Sequence, residues 1–145
     1  MRSQSAERIK AMCFLVKHQL GVKVEEFDAD PYLLNVQNGT IDLRTGKLQD
    51  HNSPADRITK LAPVEYDTAA KAPRFQKFLK QTLPNEELIR FVQRFQGYSL
   101  TGSTKERSLA VLYGVGKNGK STLVELFQDL MGDYAATTTP DTVMQ

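Results

Sequence analysis

Gly114-Val115-Gly116-Lys117-Asn118-Gly119-Lys120-Ser121 fits the pattern G-x-x-x-x-G-K-[ST], and both of its flanks suit that pattern. The run before it, Leu109-Ala110-Val111-Leu112-Tyr113, reads as a short buried strand, and the residues after it read as a helix. Strand, glycine-rich turn and helix are the context a phosphate-binding P-loop requires. The turn must aim successive backbone N–H groups and a helix N-terminus at phosphate oxygens. Gly114, Gly116 and Gly119 permit positive φ and place no Cβ between backbone and phosphate. Lys120 offers a mobile point charge for the β- and γ-phosphates of ATP, and Ser121 a hydroxyl for Mg2+. Thr122 lies one residue further into the helix and could donate to an α-phosphate oxygen, a role that spacing alone does not establish. The plainer alternative is a structural glycine turn with a solvated lysine.

Downstream, Leu123, Leu126, Phe127, Leu130 and Met131 recur at i, i+3, i+4, i+7 and i+8, an apolar helical face that Gly132 is expected to end. Upstream of the loop, residues 71–107 hold eight basic and three acidic residues in a chain whose net charge is only +2. Pro73 suits the first turn of a helix carrying Phe75, Phe78 and Leu79 inward and Arg74, Lys77 and Lys80 outward. Asn85 is a good N-cap for a second helix, with Glu86 and Glu87 where the macrodipole favours them and Glu86 spaced to pair with Arg90. Leu88, Phe91, Val92 and Phe95 are its expected inner face, and Gly97 its expected end. Arg74, Lys77, Lys80, Arg90 and Arg94 form a candidate surface for DNA or a neighbouring subunit. The alternative is a pair of solvated helix faces.

Further toward the N-terminus, Ile9, Met12, Cys13, Val16 and Leu20 have helical spacing, with Gly21 as a stop and Cys13 as a core residue. Short strands then follow at Leu33–Val36, Thr40–Leu43 and Lys47-Leu48. They are separated by Asn38-Gly39, a hairpin signal, and by Arg44-Thr45-Gly46. Ile58 to Val64 reads as extended. Asp28 and Asp30 beside Glu25 and Glu26 read as a solvated acidic turn, and neither His18 nor His51 has a ligand partner at useful spacing. The chain has 145 residues, 40% of them hydrophobic and 25% charged, as in a globular protein. One cysteine excludes an internal disulfide, and no Cys/His cluster suggests zinc. No apolar run approaches a membrane span, so a cytoplasmic protein with no membrane partner is expected.

Three stretches together resemble the phage and plasmid primase–helicase family: Asn38-Gly39-Thr40-Ile41-Asp42-Leu43-Arg44-Thr45-Gly46, Gly97-Tyr98-Ser99-Leu100-Thr101-Gly102 and Tyr113 through Thr122. That family's motor belongs to the third helicase superfamily, with an AAA+-like core. The resemblance implies an α+β leader over residues 1–105, made of a helix, a small β-meander and a helical pair. It implies that residues 106–145 are the N-terminal part of a P-loop ATPase: the first strand, loop and helix of an incomplete motor. Gly114, Val115, Gly116, Lys117, Asn118, Gly119, Lys120, Ser121 and Thr122 would then bind ATP, with Ser121 on Mg2+. In the family, a hexameric ring hydrolyses ATP to drive single-stranded DNA through its pore and unwind forked DNA. Phosphoryl transfer also needs an acid to hold the Mg2+ shell and usually an arginine finger. Asp133 and Asp141 do not end an apolar strand as such an acid would. The expectation is a fragment that binds ATP with little or no hydrolysis by itself and has a poorly ordered tail after Gly132. A DNA-binding or subunit-docking module acting through the basic leader is the competing expectation.

Overall fold

A computed structural model of the chain describes residues 5–19, 21–51 and 53–139. In chain order the elements are α1 (Ala6–Gln19), a 3-10 turn at Val24–Glu26, β1 (Leu33–Val36), β2 (Gly39–Asp42) and β3 (Lys47–Gln49). These are followed by α2 (Ser53–Asp56), α3 (Pro73–Thr82), α4 (Glu86–Ser99), α5 (Lys120–Met131) and a 3-10 turn at Gly132–Tyr134. The architecture is α+β with a small antiparallel sheet in the order β1-β2-β3.

The sheet is the expected meander with its first turn moved by one residue. Val36 pairs with Gly39, so Gln37 and Asn38 form the hairpin turn and Gly39 opens β2. Gly39 is needed for close approach instead. At its φ of 152° a Cβ would lie 2.4 Å from the Gln49 carbonyl oxygen and 2.9 Å from Leu48 Cδ1. Gly39→Ala is therefore expected to lower unfolding stability by about 2 kcal/mol, since β3 is an exposed edge that can shift in part. A denaturant midpoint equal to that of the unsubstituted chain would contradict this.

Leu34, Val36 and Ile41 project from one face of the sheet and bury with Ala62 into a first core, which Leu43, Val64, Tyr66, Leu100 and Tyr134 flank. The extended stretch expected at Ile58 to Val64 lies along the free edge of β1. Ala62 bridges Val36 in parallel, the Ala62 N–H donates to the Asn35 carbonyl at 2.9 Å, and the Gln37 N–H to that of Val64 at 2.9 Å.

The acidic turn does structural work. Asp28 accepts from the Thr59 N–H at 2.8 Å and from its hydroxyl, Glu26 pairs with Arg57, and Asp30 takes both guanidinium nitrogens of Arg44 at 2.7 and 3.1 Å. Arg44 also lies over the Tyr32 ring at 4.4 Å. The bond from Arg44 holds the Asp30 carboxyl below its ordinary value, against a smaller opposing effect of desolvation. A depressed carboxylate stabilises the fold fully above the unfolded pKa of about 4, and this contribution fades as pH falls through the lower folded value. The gap in urea midpoint between the native chain and Asp30→Asn should be present at pH 7 and narrow toward pH 3. The same gap at both pH values would show that ionisation of Asp30 plays no part. Both partners are substantially exposed, so the effect is small.

A second core joins the three long C-terminal helices. Leu79 of α3, Ile89 of α4 and Leu123 of α5 are buried together, with Phe75, Phe78, Leu83 and Val92 packed around them. Pro73 starts α3 and the Asn85 side chain accepts from the Leu88 N–H at 2.8 Å, both as expected. Several expectations for α4 need correction. Its buried residue is Ile89, while Phe91 is 57% exposed. Periodicity admits both stripes, and contact with α3 selects the one carrying Ile89 and Val92. Gly97 is interior to the helix, which continues to Ser99. Glu86 pairs with Lys80 at 4.0 Å in place of Arg90.

On α1, Cys13 is exposed, as are Ile9, Met12, Phe14, Leu15 and Val16, so the expected core role of Cys13 is not met. These apolar side chains are spread around the helix and define no single narrow stripe. Leu20 lies outside the described residues, as does the side chain of His18.

Candidate functional site

Leu109–Tyr113 forms no strand, contrary to expectation. Leu109, Val111 and Tyr113 are 75%, 73% and 90% exposed. A strand exists only through its ladder, and among the described residues nothing pairs with this segment. The turn and helix that follow do form.

Gly114, Lys117 and Gly119 have positive φ, of 143°, 60° and 84°, whereas Gly116 does not. The left-handed residue in mid-turn is thus a lysine, a strained choice of the kind that accumulates at ligand-binding turns. Gly119 leads directly into α5 without a side-chain cap, and the Leu123 N–H closes the first helical turn onto the Gly119 carbonyl at 3.0 Å. The N–H groups of Lys120, Ser121 and Thr122 are left without a backbone acceptor among the described residues, as a helix start requires. They carry the positive end of the helix dipole.

Lys120 turns back over the mouth of this loop. Its ammonium donates to the Gly114 carbonyl at 3.0 Å, the Val115 carbonyl at 3.1 Å and Asn118 Oδ1 at 2.7 Å. An ammonium has three N–H donors, and all three are engaged. Gly114 is also the place where a Cβ would collide with the Asn118 amide, at 2.7 Å from Nδ2. Asn118 therefore ties the first glycine of the turn to its lysine. Ser121 and Thr122 are exposed in the first turn of α5, beside the free amides.

The structure thus brings Gly114 through Gly119 into one turn that leads directly into Lys120, Ser121 and Thr122 at the start of α5. The basic candidates lie on α3 and α4, where Arg74, Lys77, Lys80, Arg90 and Arg94 are all exposed. Lys80 is paired with Glu86, and the other four make no ion pair among the described residues. No three His, Cys, Asp or Glu side chains converge on a metal position among the described residues. His51 contacts the Gln37 carbonyl at 3.3 Å. None of the described helices is long and apolar enough to cross a membrane.

Asp133 and Tyr134 have a role that local sequence did not signal. The Leu61 N–H donates to the Asp133 carboxylate at 3.2 Å. The Tyr134 hydroxyl accepts from the Asn35 N–H at 3.0 Å and donates to the Lys60 carbonyl at 3.3 Å. Burial pushes the Tyr134 phenol above its ordinary value, with the Asn35 bond opposing. Of the segment expected to be poorly ordered after Gly132, Asp133 and Tyr134 are docked against the sheet and its edge segment, while residues 140–145, Asp141 among them, lie outside the described residues.

Residues 1–84 match the family described as D5 N terminal like, a domain found at the N-terminus of phage and viral primase–helicase proteins. The chain belongs to this D5 N terminal like family. The match covers the sheet, α3 and the basic residues Arg74, Lys77 and Lys80, and stops before α4 and the glycine-rich turn. Two viral proteins are similar over most of the chain. "Putative helicase L207/L206" of Acanthamoeba polyphaga mimivirus is 32% identical over 114 residues, 76% of this chain and 12% of that protein. "Putative helicase 184R" of Invertebrate iridescent virus 6 is 25% identical over 113 residues, 74% of this chain and 12% of that protein. The D5 N terminal like chain therefore spans about an eighth of the length of these curated relatives.

Proposed function

We propose that Gly114–Thr122 form the triphosphate-binding P-loop of a helicase- and primase-type replication protein. In this reading Gly114, Val115, Gly116, Lys117, Asn118 and Gly119 cradle ATP with their backbone. Lys120 neutralises the β- and γ-phosphates, Ser121 ligates Mg2+, and Thr122 meets the α-phosphate. Residues 1–105 are the leader and 106–145 the start of the motor domain, whose first strand forms when it has neighbours to pair with. The longer protein works as a homo-oligomeric ring on single-stranded or forked DNA.

One observation carries the reading: the Lys120 ammonium is held over a glycine turn beside the uncapped start of α5. Positive charge and free N–H donors converge there, which is the chemistry a polyphosphate needs. Glycine at 114 leaves bare the side of the turn that faces Asn118 and the Lys120 ammonium. Family membership and the names of the two viral relatives support the wider assignment. Titrating Mg-ATP into the 145-residue chain by calorimetry is the test, with a single saturable site expected. No heat of binding at millimolar nucleotide would end this reading.

A second reading rests on Arg74, Lys77, Arg90 and Arg94, which make no ion pair among the described residues and suit a phosphate backbone better than a structural role. Binding to a single-stranded oligonucleotide should weaken as salt rises. Arg74→Ala or Lys77→Ala should each flatten the log–log salt slope by about 0.7. Salt-independent binding would exclude contact through this surface.

A further inference from the structure

We infer that α3 is part of the phosphate site, with Phe78 and Thr82 acting as positioning residues that set Gly119 from behind. The inference rests on the phosphate reading of Gly114–Thr122. A Cβ built on Gly119 would lie 2.7 Å from Thr82 Cγ2 and 3.1 and 3.2 Å from the Phe78 ring atoms Cε2 and Cζ. The backbone that begins α5 is therefore in contact with these two side chains.

Both contacting groups are themselves held. The Thr82 hydroxyl donates to the Phe78 carbonyl at 2.8 Å, which fixes its rotamer. The Phe78 ring stacks on Phe75 with centroids 6.3 Å apart. On the other side, Val115 through Asn118 are exposed. Gly119 at φ 84° is the pivot between that exposed arc and the buried Leu123. A rotation at this pivot swings the Lys120 amide and the whole lysine side chain away from the mouth of the turn. An anion site built from fixed donors loses affinity with such displacement, because its charge-assisted hydrogen bonds weaken as distance and angle depart from their optimum. Phe78 and Thr82 lie outside the glycine-rich motif, and no spacing rule connects them to it.

The test is Mg-ATP affinity of the 145-residue chain and three variants, each read below its measured melting temperature. Phe78→Leu keeps an apolar core residue and withdraws the ring edge. Thr82→Ser keeps the hydroxyl bond and removes the methyl group against Gly119. Val92→Ala loosens the same core from α4, away from the turn. We expect Kd to rise about ten-fold in Phe78→Leu and about three-fold in Thr82→Ser, of the order of one weakened hydrogen bond. Val92→Ala should lower the melting temperature with Kd unchanged. If the native chain binds and both α3 variants bind equally well, the positioning role is overturned and the phosphate reading stands. A Kd shift in Val92→Ala as large as that in Phe78→Leu also overturns it, because general loosening would then suffice. If the native chain does not bind, the phosphate reading falls and this inference falls with it.

Discussion

Lys120→Ala is expected to lower Mg-ATP affinity at least about 100-fold while leaving the fold in place. The removed group is the ammonium held against the Gly114 and Val115 carbonyls, and charge-assisted hydrogen bonds of this kind contribute roughly 1.5–3 kcal/mol each. The fold should survive because the acceptors that lose the ammonium belong to exposed residues. The Gly114 and Val115 carbonyls and Asn118 Oδ1 can turn to water. The midpoint of thermal unfolding should move by no more than about 3 °C. Lys120→Arg separates charge from shape. The three oxygens around Nζ form a bowl for a compact ammonium, and a planar guanidinium presents its donors in a fixed fork. Affinity in the arginine variant should thus also fall, though the charge is kept. ATP affinity in Lys120→Ala equal to that of the native chain would remove the lysine, and with it the P-loop assignment, from the site.

The elements legible in the sequence are those whose signals are local. Pro73 and Asn85 mark helix starts whose reasons lie within one turn, and the strand at Leu33–Val36 alternates against an adjacent hairpin partner. The turn at Gln37-Asn38 lies one residue before the position that the Asn38-Gly39 hairpin signature predicts. Gly39 is required instead by Gln49, ten residues away and visible only after the meander closes. On α4, Phe91 and Ile89 both satisfy helical spacing, and only packing against α3 chooses between them. Leu109–Tyr113 has strand composition, but composition supplies one side of a ladder. At the candidate site, the motif was legible as a pattern of glycines and a lysine. The engagement of Lys120 with its own loop and the support from Phe78 and Thr82 were not, since both depend on contacts that no repeat or spacing encodes.

Gly132→Ala should be the most destabilising of the glycine substitutions, costing about 4 kcal/mol, or roughly 10 °C or more in melting temperature. Two mechanisms act at one residue. Its φ of 50° with ψ of −119° lies outside the regions that residues with a Cβ occupy without strain. A Cβ there would also lie 2.4 Å from Pro63 Cδ and 3.0 Å from the Leu61 carbonyl oxygen. These neighbours cannot easily retreat. Ala62 between them is 1% exposed and bridged to Val36, and the Leu61 carbonyl already accepts from the Asp133 N–H at 3.3 Å. The cheaper response is for the chain after Met131 to lift away, which withdraws the Tyr134 hydroxyl from the Asn35 N–H and the Lys60 carbonyl. Tyr134→Phe isolates that second step. It removes only the hydroxyl, leaves the Asn35 N–H without its acceptor, and should cost about 1–3 kcal/mol. Loss in Gly132→Ala should accordingly exceed loss in Tyr134→Phe, and the double variant should cost little more than Gly132→Ala alone. Additive losses would mean that Tyr134 stays docked when Gly132 is replaced. A Gly132→Ala chain that melts with the native one would show that α5 does not end against Leu61–Pro63. With that contact intact, the helix that begins at the glycine-rich turn is fastened at both ends, to α3 through Gly119 and to the sheet edge through Gly132.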